Sequence, residues 1–130
     1  MKNIAKKNIA SLLIAATMVT ASSTAVYSQP AETTGSSGGA QTSADCGFLP
    51  AQPDHSFTIT QPSASVSINV SGSGDYTLLV TGPDTRECIL AHNFNGGAIQ
   101  SRGLYKTGTY RLYVGDIDGA GAPFTLTVQQ

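Results

Sequence analysis

Asp54-His55-Ser56 sets a carboxylate, an imidazole and a hydroxyl side by side, the residue types of a hydrolytic triad. Adjacency argues against that chemistry. Triad members converge from separate segments, and neighbours on an extended chain point to opposite faces, so the three cannot meet one reacting carbon. The other histidine, His92, sits with Asn93 and Asn95 in a segment that reads as a loop. Asp116-Ile117-Asp118-Gly119 places two carboxylates two residues apart beside a glycine, the opening of many calcium loops. The rest of that pattern is missing: Gly121 occupies the sixth position, but Ala120 stands at the fifth and Thr127 at the twelfth. Asp116 and Asp118 are therefore read as an acidic hairpin turn between the last two strands, with calcium as the weak alternative and no other cofactor implied. Arg111 and Tyr113 share one face of an alternating segment, and Tyr105 lies close by in sequence. These three are the candidate ligand face, because Tyr and Arg combine large contact area with directed hydrogen bonds.

Whatever holds these groups in place folds outside the cytoplasm. Lys2, Lys6 and Lys7 precede an apolar run from Ile9 to Val19, and small polar residues follow. This is a secretory signal pattern, too short for a membrane span of about 20 residues. Residues 1–28 are read as the signal, with cleavage after Ala25 or Ser28, and no stable membrane insertion follows it. Loss of those three lysines leaves four basic residues against eight acidic ones, a net charge near −4. Such a surface has no positive field for nucleic acid or anionic lipid. Cys46 and Cys88 are the two cysteines, and in an oxidising compartment an even number of thiols pairs. One disulfide between them is expected. They lack the CxxC spacing and the neighbouring histidine of a metal site.

Residues 29–45 are almost all small or polar and read as a flexible leader. From residue 46 to 130 no helical periodicity is sustained, whereas period-two alternation returns repeatedly between Gly, Pro, Asn and Asp clusters. Phe57 and Ile59, then Val66, Ile68 and Val70, then Tyr76, Leu78 and Val80 mark three strands. Gly72-Ser73-Gly74 reads as a hairpin turn between the last two of these, and Gly82-Pro83-Asp84 as a turn toward Cys88, Ile89 and Leu90. A weaker segment covers Ala98 to Arg102, followed by Tyr110, Leu112 and Val114 and by Phe124, Leu126 and Val128. Each strand has one apolar face and one rich in Thr, Ser or Asn, so two sheets must stack. The expected fold is all-β: an antiparallel β-sandwich, jelly-roll-like, of about seven strands, with a partly closed barrel as the alternative.

Gly74-Asp75-Tyr76-Thr77-Leu78-Leu79-Val80 and Gly108-Thr109-Tyr110-Arg111-Leu112-Tyr113-Val114 share the pattern G-x-Y-x-L-x-V, and Phe124 to Val128 echoes its second half. The aromatic is expected at the strand mouth, its ring buried and its hydroxyl wet. With Thr81-Gly82-Pro83-Asp84 after the first block, Lys106-Thr107 before the second and Gly115 after it, the stretch from His55 to Val128 resembles the bacterial pre-peptidase C-terminal domain. That resemblance implies a small secreted β-sandwich accessory to other proteins, without catalysis of its own. No peptidase unit precedes the blocks here, so a role relative to a tethered enzyme is not carried over. Some members bind calcium through an acidic segment near their start; this chain has only Asp45 and Asp54 there, and that site is not carried over either.

The sequence thus points to a secreted or periplasmic, non-catalytic binding or envelope-associated module whose ligand is an extracellular protein or polysaccharide. A structural or folding-assistant protein without a ligand is the alternative, and a hydrolase the least supported.

Overall fold

In the computed structural model, residues 30–62, 64–91 and 97–130 are described; the signal segment, His92, Asn93 and Asn95 lie outside them. Ten strands follow one another: β1 Ala31–Ser36, β2 Gln41–Ser43, β3 Gly47–Leu49, β4 His55–Ile59, β5 Ala64–Gly72, β6 Tyr76–Thr81, β7 Arg86–Leu90, β8 Ile99–Tyr105, β9 Gly108–Asp116 and β10 Pro123–Gln129. They form two antiparallel sheets. The first has the order β1-β10-β5-β8 and the second β2-β3-β9-β6-β7, with β4 also paired to β9. The expected all-β, two-sheet architecture is present.

Alternation explains the core. Val66, Ile68 and Val70 of β5 and Phe124, Leu126 and Val128 of β10 face Tyr76, Leu78, Val80, Leu112 and Val114 of the opposite sheet. Burying apolar side chains in this way supplies about 25 cal/mol per Å² of apolar surface removed from water. The two tyrosines of the repeated pattern depart from expectation. Tyr76 and Tyr110 are both buried, and neither hydroxyl relies on solvent: Tyr76 donates to the Pro123 carbonyl and Tyr110 to the Lys106 carbonyl at 3.0 Å. A buried hydroxyl without a partner is costly, and a backbone carbonyl supplies the partner in each case.

The leader expectation is corrected. Ala31–Ser36 pairs with β10 along its whole length, from Ala31 opposite Val128 to Ser36 opposite Pro123. Gln41–Ser43 forms a hairpin with Gly47–Leu49. Polar side chains do not prevent this, because an edge strand is held by its backbone and needs no apolar face. Among the described residues these three strands raise the count from about seven to ten.

Two turns are corrected as well. Gly72-Ser73-Gly74 joins strands of different sheets, as does the segment from Asp116 to Ala122, so neither is a hairpin. Gly82 to Thr85 does close a hairpin, the Gly82 N–H donating to the Thr85 carbonyl at 2.9 Å between paired β6 and β7.

β6 is buried on both faces. Its outer side is covered by the segment around Cys46 and Leu49, which packs on Leu79, and Thr77 Oγ1 donates to the Cys46 carbonyl at 2.8 Å. Gly115 permits this closeness: a Cβ there would lie 2.3 Å from Thr77 Oγ1 and 2.7 Å from the Phe48 carbonyl oxygen.

Candidate functional site

The two cysteines are bonded, with their Cα atoms 5.7 Å apart across 42 residues of sequence. Beside the bridge, Arg86 clamps Asp45 in a bidentate pair, Nη1 to Oδ2 at 2.7 Å and Nη2 to Oδ1 at 3.1 Å, while Ser43 Oγ donates to Oδ1 at 2.5 Å. These donors hold the Asp45 carboxyl well below the usual range, and Asp45 in turn raises the pKa of Arg86. The same face carries Tyr113, half-buried against the cluster of Cys46, Leu49 and Leu79.

The acid, histidine and hydroxyl of residues 54–56 do not converge. Asp54 accepts the Val114 N–H at 2.7 Å, and burial raises its pKa against the opposing effect of that bond. His55 stacks toward the Phe57 ring on the inner side of β4, while Ser56 is exposed on the outer side opposite Arg111. Asp116 is also structural. The residue is buried, and its carboxylate accepts Ser37 Oγ at 3.2 Å and the Asp118 N–H at 3.0 Å, so it ties the end of β1 to the end of β9. Asp118 points into solvent. Among the described residues no three His, Cys, Asp or Glu side chains gather as a metal site.

The candidate ligand face divides. Arg111 is exposed and Tyr113 half-exposed on the outside of the larger sheet, but Tyr105 belongs to the other sheet and turns inward. The sequence proximity of residues 105 and 111 misleads because the chain changes sheets at Lys106-Thr107. Tyr105 instead joins Phe57 and Tyr110 in an aromatic cluster, with ring centroids 5.9 and 4.9 Å away.

Tyr105 and Tyr110 of that cluster floor a cleft of about 520 Å³ between β7 and β8, edge strands of the two sheets. Asp84 and Glu87 rim one side, and Ser101, Arg102, Gly103 and Lys106 the other, above Val80, Tyr105 and Tyr110. Burial, and then the nearby Glu87, raise the Tyr105 pKa, so it is a neutral donor at physiological pH. Leu104 stands on the β8 rim with 74% of its surface exposed. The strand runs past the Arg102 limit expected from sequence, to Tyr105, and so brings Leu104 to the rim. The signal was present as Arg102, Leu104 and Lys106 alternating with Gly103 and Tyr105.

A two-sheet β-sandwich with a lateral cleft is thus the class that fold and site define. The chain belongs to the family of an uncharacterized protein of Synechococcus elongatus, to which it is 35% identical over 98 residues, 72% of this chain and 71% of that protein. No protein-family model matches it. Among solved structures it is similar to PliG, a periplasmic lysozyme inhibitor of g-type lysozyme. The Aeromonas hydrophila protein is 17% identical with a TM-score of 0.47, over 77% of this chain and 84% of that one. The Salmonella Typhimurium protein is 13% identical with a TM-score of 0.46, over 79% and 92%. Among the described residues no helix is long and apolar enough to cross a membrane.

Proposed function

We propose that the protein is an exported, non-catalytic binding module, working in the periplasm or outside the cell, whose ligand enters the cleft between β7 and β8. The observation that carries this reading is the cleft itself: an aromatic floor, rims of opposite charge and an exposed leucine, bounded by two sheet edges. Apolar concavities with a few directed polar groups are where ligands bind. Of the other carboxylates singled out by sequence, three hold the fold together, Asp45 on Arg86, Asp54 on Val114 and Asp116 on Ser37, and Asp118 is exposed. Export is supported by the signal pattern and by the disulfide, which is a feature of oxidising compartments. Kinship with pre-peptidase C-terminal domains is part of the proposal, and its two sequence blocks lie on β6 and β9, which are direct neighbours.

The test is retention of the oxidised protein on immobilised peptidoglycan, envelope polysaccharide and a set of extracellular proteins, a g-type lysozyme among them. Tyr105→Ala is expected to abolish retention; because the ring also packs on Phe57 and Tyr110, the melting temperature falls while the far-ultraviolet spectrum of the variant stays that of the native fold. Arg111→Ala, on the outside of the other sheet, is expected to leave it intact. The reverse pattern would move the site to the Arg111 and Tyr113 face; retention lost in neither variant would remove the cleft from the account.

A further inference from the structure

We infer that the cleft recognises an extended polypeptide segment of a partner protein, which adds as an antiparallel strand to the open edge of β8 and carries acidic residues on either side of an apolar one. This rests on the binding-module reading and names its ligand class.

β8 pairs with β5 along Ile99–Tyr105, and among the described residues no strand pairs with its other edge. Alternate N–H and C=O groups of an edge strand point outward unpaired, a template for another chain. The side chains along this edge give the template its selectivity. On the outer face Arg102 and Leu104 stand two apart, the exposed Lys106 follows just past the strand's last residue, and the cross-strand neighbours of Arg102 and Leu104 on β5 are only Ser67 and Ser65. Leu104 therefore has no apolar cover from its own sheet. On the inner face Gly103 leaves open space, where an added Cβ would meet only the Tyr105 ring at 3.7 Å. An aromatic residue opposite an edge glycine fills such a gap. The matching strand has acid, apolar and acid on one face and an aromatic on the other.

The same residues argue against self-pairing. Two β8 edges meeting in the antiparallel register that places Leu104 against Leu104 would set Arg102 opposite Lys106 twice, and like charges directly opposite are unfavourable. Charges alone would protect an edge, but protection does not call for an exposed leucine between them. Of the four cations outside the signal segment, Arg86 is neutralised by Asp45, and Arg102 and Lys106 stand together here on a chain that is acidic as a whole. Complementarity on the β8 side is thus to acidic residues, and the carboxylates of Asp84 and Glu87 across the cleft keep those residues on the outer face of the added strand, beside Arg102 and Lys106.

The probe is a capped peptide with Glu, Val and Glu on one face and Tyr and Thr on the other, titrated into the oxidised protein and followed by backbone amide shifts. Binding is expected to perturb β8 and the cleft. Replacing both Glu by Lys in the peptide, or Leu104→Glu in the protein, is expected to weaken it about tenfold. N-methylation of one alternating set of peptide amides is expected to abolish binding, and of the other set to leave it. Equal binding by both methylated peptides, no binding by the parent peptide, or a dimer of the protein through β8 would each overturn the inference. A peptide that fails while Tyr105-dependent retention on another ligand persists removes the strand-addition claim and leaves the binding module. Loss of both removes both. Melting temperatures of the Leu104→Glu and Arg102→Glu variants, which lie on the surface, check that the fold is intact.

Discussion

Asp45 and Asp54 show how two carboxylates on one small domain acquire opposite pH signatures. Arg86 and Ser43 depress the Asp45 pKa below its ordinary 3.8, so the native state binds the proton less readily than the unfolded chain. Its stabilisation is complete above pH 3.8 and lost as pH falls through the lower folded value. Asp54 is the reverse. Burial raises its pKa above 3.8, so the native state holds the proton longer, and stability declines as pH rises from 3.8 through the raised value and then levels. From these two groups together stability is greatest near pH 3.8. Melting temperature followed against pH is expected to lose its upper slope in Asp54→Asn and its lower slope in Asp45→Asn. Because Asp45 is on the surface, the lower slope is also expected to shrink in high salt. Thr77 gives a second test at this scale. Thr77→Val keeps the shape but leaves the buried Cys46 carbonyl without its donor, and is expected to cost about 1–3 kcal/mol by urea denaturation, with Thr77→Ser recovering most of it.

At the scale of elements, the strands legible in the sequence were those with an apolar face. Val66-Ser67-Ile68-Asn69-Val70 states its pleat openly, and it lies in the middle of its sheet. Ala31-Glu32-Thr33-Thr34-Gly35-Ser36 has no such face. Its order comes from ladder bonds to β10 and from Ser37, whose Oγ donates to Asp116 and accepts the Ala122 N–H at 2.9 Å. Nothing in the composition of residues 29–45 announces partners that lie more than 75 residues away. Glycine-rich turns were ambiguous for a related reason: Gly72-Ser73-Gly74 tells where the chain bends, not whether the next strand stays in the same sheet. The same ambiguity hides the placement of Tyr105, whereas the separation of Asp54, His55 and Ser56 is legible from strand alternation alone, and the disulfide, although it joins residues 42 apart, from an export signal pattern on a chain with two cysteines. Ser37→Ala follows from this picture. It removes one donor and one acceptor, so hydrogen exchange is expected to accelerate at the amides of β1 that bond to β10, while β6 and β9 retain full protection.

For the molecule as a whole the question is what makes so small a sandwich stable and where. The main core lies between the sheets, but the outer side of β6 would expose Leu79 if the segment carrying Cys46 and Leu49 lifted away. That segment meets β9 at a single register pair, Phe48 opposite Asp116, so its backbone holds it weakly. The bond from Cys46 to Cys88 pins it to β7 and closes a loop of 42 residues. On the chain-entropy account such a closure contributes roughly 4 kcal/mol, a large fraction of the stability of a domain this size. The Cys46→Ala/Cys88→Ala double variant is therefore expected to lose about that much by equilibrium denaturation, and the wild-type protein under reductant to behave like it. Binding of a fluorescent apolar dye is expected to rise as Leu79 is uncovered, with β5 and β10 of the other sheet changing later. A reduced protein as stable as the oxidised one would mean that the N-terminal segment is held by Thr77, Gly115 and Asp116 alone, and the fold would then not depend on an oxidising compartment.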